Sequence, residues 1–238
     1  MTEAGAVPRA YRADFGETWA AANMIGGWLT EAQARVLWES VSAIDRGGLV
    51  VEIGSHQGRS TAVLAAAARL RGGRVVAIDP FVSGARFGGA ETRQKFERHL
   101  TALGLREQVE LITLRSTAVR PTWTKPIAVL YVDGKHDYWT VADDLKWRAA
   151  VAAGGEVLVH DAFSSIGVTL ALLAHVLPSR DLRYRTRTGS LARFEKTRPN
   201  LSDRMQLLRQ LPWFARNVAV KIALRFGRLF GHSTPDPF

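Results

Sequence analysis

Five polar clusters recur along the sequence, each directly after a short apolar run. They are Glu52-Ile53-Gly54-Ser55-His56-Gln57-Gly58-Arg59-Ser60, Asp79-Pro80-Phe81, Ser116-Thr117, Asp133-Gly134-Lys135-His136 and His160-Asp161. The residue types in the first two suit recognition of a nucleoside. Gly54 and Gly58 let the backbone pass close to a ligand, and Ser60 with the free amides at a helix start can bind it. Asp79, about twenty residues past Gly58, carries two oxygens that suit a ribose diol. Ser55 and His56 fill the middle of the loop, so this is not the dinucleotide G-x-G-x-x-G. Taken singly, Gly54 reads equally well as a tight turn and Asp79 as a helix cap. Together, on adjacent strands, they point to a nucleoside-bearing cofactor.

The elements that must position these clusters follow from period. Leu49 to Gly54, Arg74 to Asp79, Val109 to Leu114, Ala128 to Val132 and Glu156 to His160 are short, continuous apolar runs of strand length. Between them lie helical patterns over Thr61 to Leu70, Glu91 to Leu103 and Val141 to Ala153, the last closed by Gly154-Gly155. Strands that are apolar on both faces and alternate with helices predict a parallel sheet wrapped by helices. Leu182 to Thr188, Gly189-Ser190 and Leu191 to Glu195 then read as a hairpin, so the sheet should finish antiparallel. Ahead of the core, Thr30 and Gln33 form a capping box for a helix to about Ile44. The expectation is an α/β, Rossmann-like, mostly parallel seven-stranded sheet with helices on both faces. Residues 1–48 form an N-terminal helical cap, 49–196 the core and 197–238 a basic extension. In such sheets ligands sit beyond the carboxyl ends of the strands, where all five clusters fall.

Composition narrows the function. The chain has 238 residues, 47% apolar and 23% charged, which suits one globular domain with an appendage and excludes a disordered chain. No run of 18 apolar residues occurs, and Met1 to Phe15 lacks the apolar core of a secretory signal. There are no cysteines, so disulfides, thiolate metal sites and cysteine nucleophiles are excluded and a cytoplasmic location is expected. The net charge is +10, of which residues 196–238 hold +6, from eight basic and two acidic residues. That concentration argues against nucleic acid as the partner. Leu211 to Phe230 reads as an amphipathic helix with Lys221, Arg225 and Arg228 along its flank. It suits an anionic membrane surface, or docking on its own core or across a homodimer or larger homo-oligomer interface, and docking is the favoured reading.

Val51-Glu52-Ile53-Gly54-Ser55 through Gly58-Arg59-Ser60-Thr61 resembles the first motif of class I S-adenosylmethionine-dependent methyltransferases. Asp133-Gly134-Lys135-His136-Asp137-Tyr138, followed by Asp143 or Asp144, Gly154-Gly155 and His160-Asp161, resembles the metal-dependent O-methyltransferase branch. That branch includes macrolide-sugar and mycobacterial methylmannose polysaccharide methyltransferases, and Thr188-Gly189-Ser190-Leu191 resembles its closing hairpin. The similarity runs from about Trp28 to Lys196. It implies S-adenosylmethionine and Mg2+ as cofactors and a small-molecule or oligosaccharide acceptor. Glu52, Gly54, Ser55 and Gly58 would line the methionine part and Asp79 would hold the ribose. Phe81 would lie beside the adenine, with Ser116 and Thr117 at its edge. Asp133 and Asp161 would be metal ligands and His136 the general base.

The chemistry agrees with those roles. A cation held by carboxylates lowers the pKa of an acceptor hydroxyl, and a histidine takes up its proton. His160 stands where relatives often carry glutamate, so it either ligates through nitrogen or contributes no ligand. Trp19, Trp28, Trp38 and the loop from Phe81 to Thr92, with Arg86, Phe87 and Arg93, are candidate walls over the acceptor. Plain packing explains the tryptophans as well, and Trp139 and Trp147 are expected to pack. The rival readings are a phenol or catechol acceptor, a hydroxylase-like relative, and a binding protein driven by the basic tail.

Overall fold

The computed structural model describes residues 14–84 and 88–229, with side chains to residue 223. Runs rich in Val, Ile and Leu favour extended chain that can be buried on both faces. They form Leu49–Ile53 (β1), Arg74–Ile78 (β2), Val109–Ile112 (β3), Ile127–Val132 (β4) and Val151–Val159 (β5), followed by Arg183–Thr188 (β6) and Leu191–Glu195 (β7). The seven make one sheet in the order β3-β2-β1-β4-β5-β7-β6. β1 to β5 are parallel, β7 runs antiparallel to β5 and β6 antiparallel to β7. This is the Rossmann-like sheet with an antiparallel terminal hairpin that the sequence predicts.

The alternation of side chains along each strand divides the core in two. Val50, Val75, Ala77, Val129 and Tyr131 face a layer that includes α2 (Glu31–Ser42), α3 (Arg59–Leu70) and α4 (Ala90–Ala102). α1 (Phe15–Ala22) packs into the same layer through Phe15 and Ala22. Val51, Ile53, Val76, Leu130 and Val157 face the opposite layer, built on α6 (Tyr138–Asp144), α7 (Ile166–His175) and α8 (Leu201–Leu208). A short helix, α5 (Ser116–Val119), follows β3, and α9 (Leu211–Leu229) ends the described chain. The Thr30 capping box is present, with Thr30 N donating to Gln33 Oε1 at 3.0 Å and Gln33 N to Thr30 Oγ1 at 3.4 Å. No helix among the described residues is long and apolar enough to cross a membrane.

One element differs from expectation. The helix predicted to Ala153 stops at Asp144, a 3-10 turn covers Leu145–Ala150, and β5 begins at Val151. Gly154-Gly155 therefore closes no helix. The register against β4 jumps from Ile127↔Val151 to Val129↔Glu156, so the glycines lie in a bulge. Gly154 N donates to Lys196 O at 2.9 Å and Lys196 N to Gly155 O at 2.7 Å, while a side chain on Gly155 would meet Ala128 O.

The basic extension is docked over its described part. Trp213 and Phe214 pack against the second layer. Asn217 is fully buried and its Nδ2 donates to Phe163 O at 3.2 Å, while Lys221 Nζ donates to Ser164 O at 2.9 Å. Both carbonyls belong to the turn just after β5. The side chains of Arg225, Phe226, Arg228 and Leu229 lie outside the described residues.

β1 and β4 come closest at Gly54, which has φ +87° and lies against the backbone of Asp133 and Gly134. A β-carbon there would run into the Asp133 carbonyl, in a left-handed conformation that side chains disfavour. Gly54→Ala should cost about 2–4 kcal/mol, near the upper end for single substitutions. For a chain of this size that lowers the melting temperature by roughly 5–15 °C in a thermal unfolding scan. A variant that melts with the wild type would show that the approach is not tight.

Candidate active site

Strained backbone marks one end of the sheet. Among the described residues, the non-glycine positions with positive φ are His56 (47°), Phe81 (43°), Asp161 (53°) and Phe163 (60°). His56 follows β1, Phe81 follows β2 and the other two follow β5. Such conformations persist only where surroundings over-determine them, and they gather at ligand sites.

The β1 loop is held open by a carboxylate. Asp79 Oδ2 accepts from Ser55 N at 3.0 Å and His56 N at 2.9 Å, and Oδ1 accepts from Phe81 N at 2.8 Å. Asp79 thus shapes the loop, and a carboxylate with about four acceptor positions keeps one for a further donor. Gly58, at φ 93°, caps the start of α3, and Ser55 and Ser60 are buried. Glu52 lies wholly inside the first layer. Its oxygens accept from Ser60 Oγ at 2.5 Å and from Thr61 Oγ1, so it anchors the first turn of α3 from below. Burial pushes its carboxyl up to about 7, against the hydrogen bonds from Ser60 and Thr61. Phe81 is buried edge-on against Phe96 of α4, 6.0 Å between centroids. Arg86 and Phe87 lie outside the described residues.

Ser116 is buried and donates to Asp144 Oδ1, whereas Thr117 is exposed. Burial pushes the Asp144 carboxyl up to about 6, with Ser116 opposing and the Asp143 charge adding. Asp144 also lies beneath Gly134, next to the β4 loop.

Between β4 and β5, two aspartates and two histidines meet. His136 Nδ1 lies 2.9 Å from Asp161 Oδ2, and its Nε2 lies 3.6 Å from Asp133 Oδ1. His160 Nδ1 lies 3.2 Å from Asp133 Oδ1 and 3.7 Å from Asp161 Oδ1. Tyr131 Oη donates to Asp133 Oδ2 at 2.8 Å, and Ser164 Oγ to Asp161 Oδ1 at 3.0 Å. His160 is buried, with its Nε2 3.4 Å from Gln33 Oε1. Gln33 Nε2 in turn donates to Ser190 Oγ at 3.0 Å, in the hairpin tip. His136 is the most accessible of the four, and Ser165 Oγ donates to its carbonyl at 3.2 Å.

Electrostatics follows from this packing. Burial alone would lower the His136 pKa, but its hydrogen bonds with Asp133 and Asp161 and their charges raise it to about 10. His160 is raised in the same way, its burial outweighed by Asp133. Burial would raise both aspartates, yet the histidines hold them well below the usual carboxylate range. His136, expected as the general base, therefore holds its proton at neutral pH.

Magnesium does not fit this arrangement. The ion demands near-octahedral oxygen ligands and keeps several waters. Here the aspartate oxygens face histidine nitrogens, and among the described residues no three or more His, Asp or Glu are arranged to hold a metal ion. Asp133, Asp161 and His160, expected as ligands, form an ion-pair cluster instead.

The wall over the β1 loop is fixed by Arg59. Its guanidinium donates to Ile25 O at 2.6 Å, Leu29 O at 3.1 Å and Asn23 O at 3.1 Å, clamping residues 23–29 against the start of α3. Trp28 on this segment is 62% exposed, with its ring 5.5 Å from His56. Trp19 and Trp38 pack on the core, Trp38 edge-on to Phe15. Trp147 is buried as expected, but Trp139 is 80% exposed, because it follows the helix cap at Asp137 on the outer side of α6. Arg59, Gln33 and Tyr131 were not singled out from the sequence as site residues. A lone Arg, Gln or Tyr carries no spacing signal, although the Thr30–Gln33 box did locate Gln33.

Residues 51–162 match the family model described as a methyltransferase domain. This span runs from β1 to just past β5 and encloses all five clusters. Solved structures share the fold. A Podospora anserina methyltransferase bound to S-adenosylhomocysteine superposes with TM-score 0.61 at 12% identity, covering 77% of this chain and 87% of its own. A Thermotoga maritima S-adenosylmethionine-dependent O-methyltransferase gives 0.55 at 17%, covering 78% and 72%. An rRNA methylase from Streptococcus thermophilus gives 0.52 at 19%, covering 72% and 100%. The match covers the core of the sheet, and the fold is the one shared by these methyltransferase structures.

Asp79→Asn keeps the size of the side chain but replaces an acceptor oxygen by an amide nitrogen that opposes the loop amides. S-adenosylhomocysteine affinity in a calorimetric titration should fall roughly tenfold or more, the scale of one or two lost charge-assisted hydrogen bonds. Unchanged affinity would remove Asp79 from the cofactor loop's support.

Proposed function

We propose that this chain is an O-methyltransferase that transfers the methyl group of S-adenosylmethionine to a hydroxyl of a sugar, glycoside or polysaccharide. The observation that carries this reading is the Asp133–His136–His160–Asp161 cluster, set beside the glycine loop of β1 at the same end of the sheet. The amides of the β1 loop, Ser55, Gly58 and Asp79 would hold the cofactor. Trp28, exposed above His56, offers the flat apolar face that a sugar ring stacks on. The choice of a sugar rests on the resemblance of the Asp133 to Tyr138 and His160-Asp161 motifs to sugar methyltransferases. That of oxygen is supported also by the Thermotoga maritima likeness.

In the reaction the hydroxyl oxygen forms a bond to the sulfonium methyl carbon as the carbon–sulfur bond breaks. S-adenosylhomocysteine leaves, and the hydroxyl proton must go to the protein or to water. Holding the two reactants in line contributes much of the acceleration. His136, flanked by both aspartates and the most accessible of the four side chains, would take the proton once it has lost its own.

With the His136 pKa raised to about 10, the fraction able to accept a proton rises about tenfold per pH unit through the neutral range. Transfer of labelled methyl should therefore climb from pH 7 toward pH 10, and His136→Gln should remove that climb and lower turnover about 10²–10⁴-fold. A wild-type rate that is flat over this range would end the base assignment. Stability runs the other way. The histidine's raised pKa stabilises the fold fully below about pH 6.5, progressively less above it, and not at all past about 10.

Because the histidines already meet both carboxylates, turnover should persist in EDTA and gain little from added magnesium. Abolition by EDTA would mean that the ion pairs open to admit a cation.

A further inference from the structure

A second cluster of cations lies away from the strand ends, on the outer edge of the sheet. A cavity of about 270 Å³ is lined by Tyr184, Arg185, Thr186 and Arg187 of β6 and by Gln206, Arg209 and Gln210 at the junction of α8 and α9. Among the described residues, no carboxylate lines it. Its volume is just below the roughly 300–1,000 Å³ typical of drug-sized ligands, so it suits a small polar group.

Arg187 is the fixed point. Its guanidinium carbon lies over the Trp213 ring, 3.8 Å from the centroid. Nε donates to Gln210 Oε1 at 2.9 Å and Nη1 to Gly189 O at 2.5 Å. A guanidinium has five N–H donors, so these two bonds leave the Nη2 edge for a further acceptor. Arg187 is half-buried, yet both hydrogen-bond partners are neutral, and among the described residues no carboxylate pairs with this partly desolvated cation. Arg185 reaches Glu195 at 3.4 Å from a largely exposed position, and Arg209 is exposed on the opposite wall. One carboxylate thus serves three guanidinium groups around the opening. A rigid, stacked guanidinium with an open edge and two flexible ones beside it is the arrangement that grips a tetrahedral oxyanion.

We propose that this cavity is an anion site that binds a phosphoryl group, held by Arg187 and closed over by Arg185 and Arg209. It is separate from the methyl-transfer cluster but joined to it. Arg187 holds Gly189 O, the neighbouring Ser190 takes a hydrogen bond from Gln33, and Gln33 Oε1 lies against His160. The proposal does not depend on the methyl-transfer reading.

The test is calorimetric titration of the full chain with inorganic phosphate, pyrophosphate and glucose 1-phosphate, each against sodium chloride at equal ionic strength. Saturable binding is expected, weakened at least tenfold in the Arg185→Gln/Arg209→Gln double variant and abolished in Arg187→Gln. The far-ultraviolet circular dichroism spectrum and the melting temperature should be unchanged in the double variant, which shows that it is folded. Tighter binding of glucose 1-phosphate than of phosphate would assign the group to a phosphorylated sugar, and equal binding to free phosphate. Heats no larger than those of chloride, or binding untouched by the double variant, would overturn the site.

Discussion

A carboxylate taken out of water must be met by donors or cations, and this requirement organises the carboxyl end of the sheet. Glu52 is met by two hydroxyls on α3, Asp79 by three loop amides, Asp144 by Ser116, and Asp133 and Asp161 by two histidines and a tyrosine. Each solution ties one loop to another element. Glu52 fixes the first turn of α3, so the glycine loop above it has a rigid floor. Asp79 joins the ends of β1 and β2. The histidines join β4 to β5. Removing a partner would weaken that compensation and loosen a loop, so shaping the site and satisfying its carboxylates are the same problem.

The segments outside the core matter for the same reason. α9 places Asn217 and Lys221 on the carbonyls of Phe163 and Ser164, in the turn that holds Asp161 at positive φ. That turn has little secondary structure to hold its strained backbone, and the tail supplies fixed donors. At the other end of the chain, Arg59 holds three carbonyls of residues 23–29 and sets Trp28 over the β1 loop. The basic extension, expected from the sequence to dock as an amphipathic helix, is thus partly structural, with Lys221 serving as a hydrogen-bond donor to the core.

The strands were legible because a parallel sheet covered on both faces leaves no polar alternation, and continuous runs such as Val75 to Ile78 are hard to read otherwise. The polar clusters were legible because they interrupt those runs at one end. Gly154-Gly155 misled because a glycine pair signals a helix stop and a bulge alike, and only the register against β4 distinguishes them. The environment of each carboxylate was not legible. Asp79 was read as a ligand-facing acid, yet three of its acceptor positions are turned onto its own backbone. The contact of Phe81 with Phe96 was not legible either, because Phe96 comes from a helix that sequence spacing does not place over β2.

The cluster between β4 and β5 shows how one substitution changes the logic of a site. An acid at position 160 beside Asp133 and Asp161 would gather three negative charges, and a divalent cation would be the natural compensation. A histidine there, with His136 opposite, lets the protein supply that compensation from its own side chains, since both imidazoles face the two carboxylates and both have raised pKa values. The consequence lies in protonation. Charges that hold the loops together also hold the proton on His136, so the interaction that stabilises the site opposes the proton uptake proposed for His136. An acceptor hydroxyl that displaced His136 from Asp161, or brought its own hydrogen bond to either aspartate, would weaken that hold. The base would then become available only when the acceptor is in place, which couples proton transfer to correct binding.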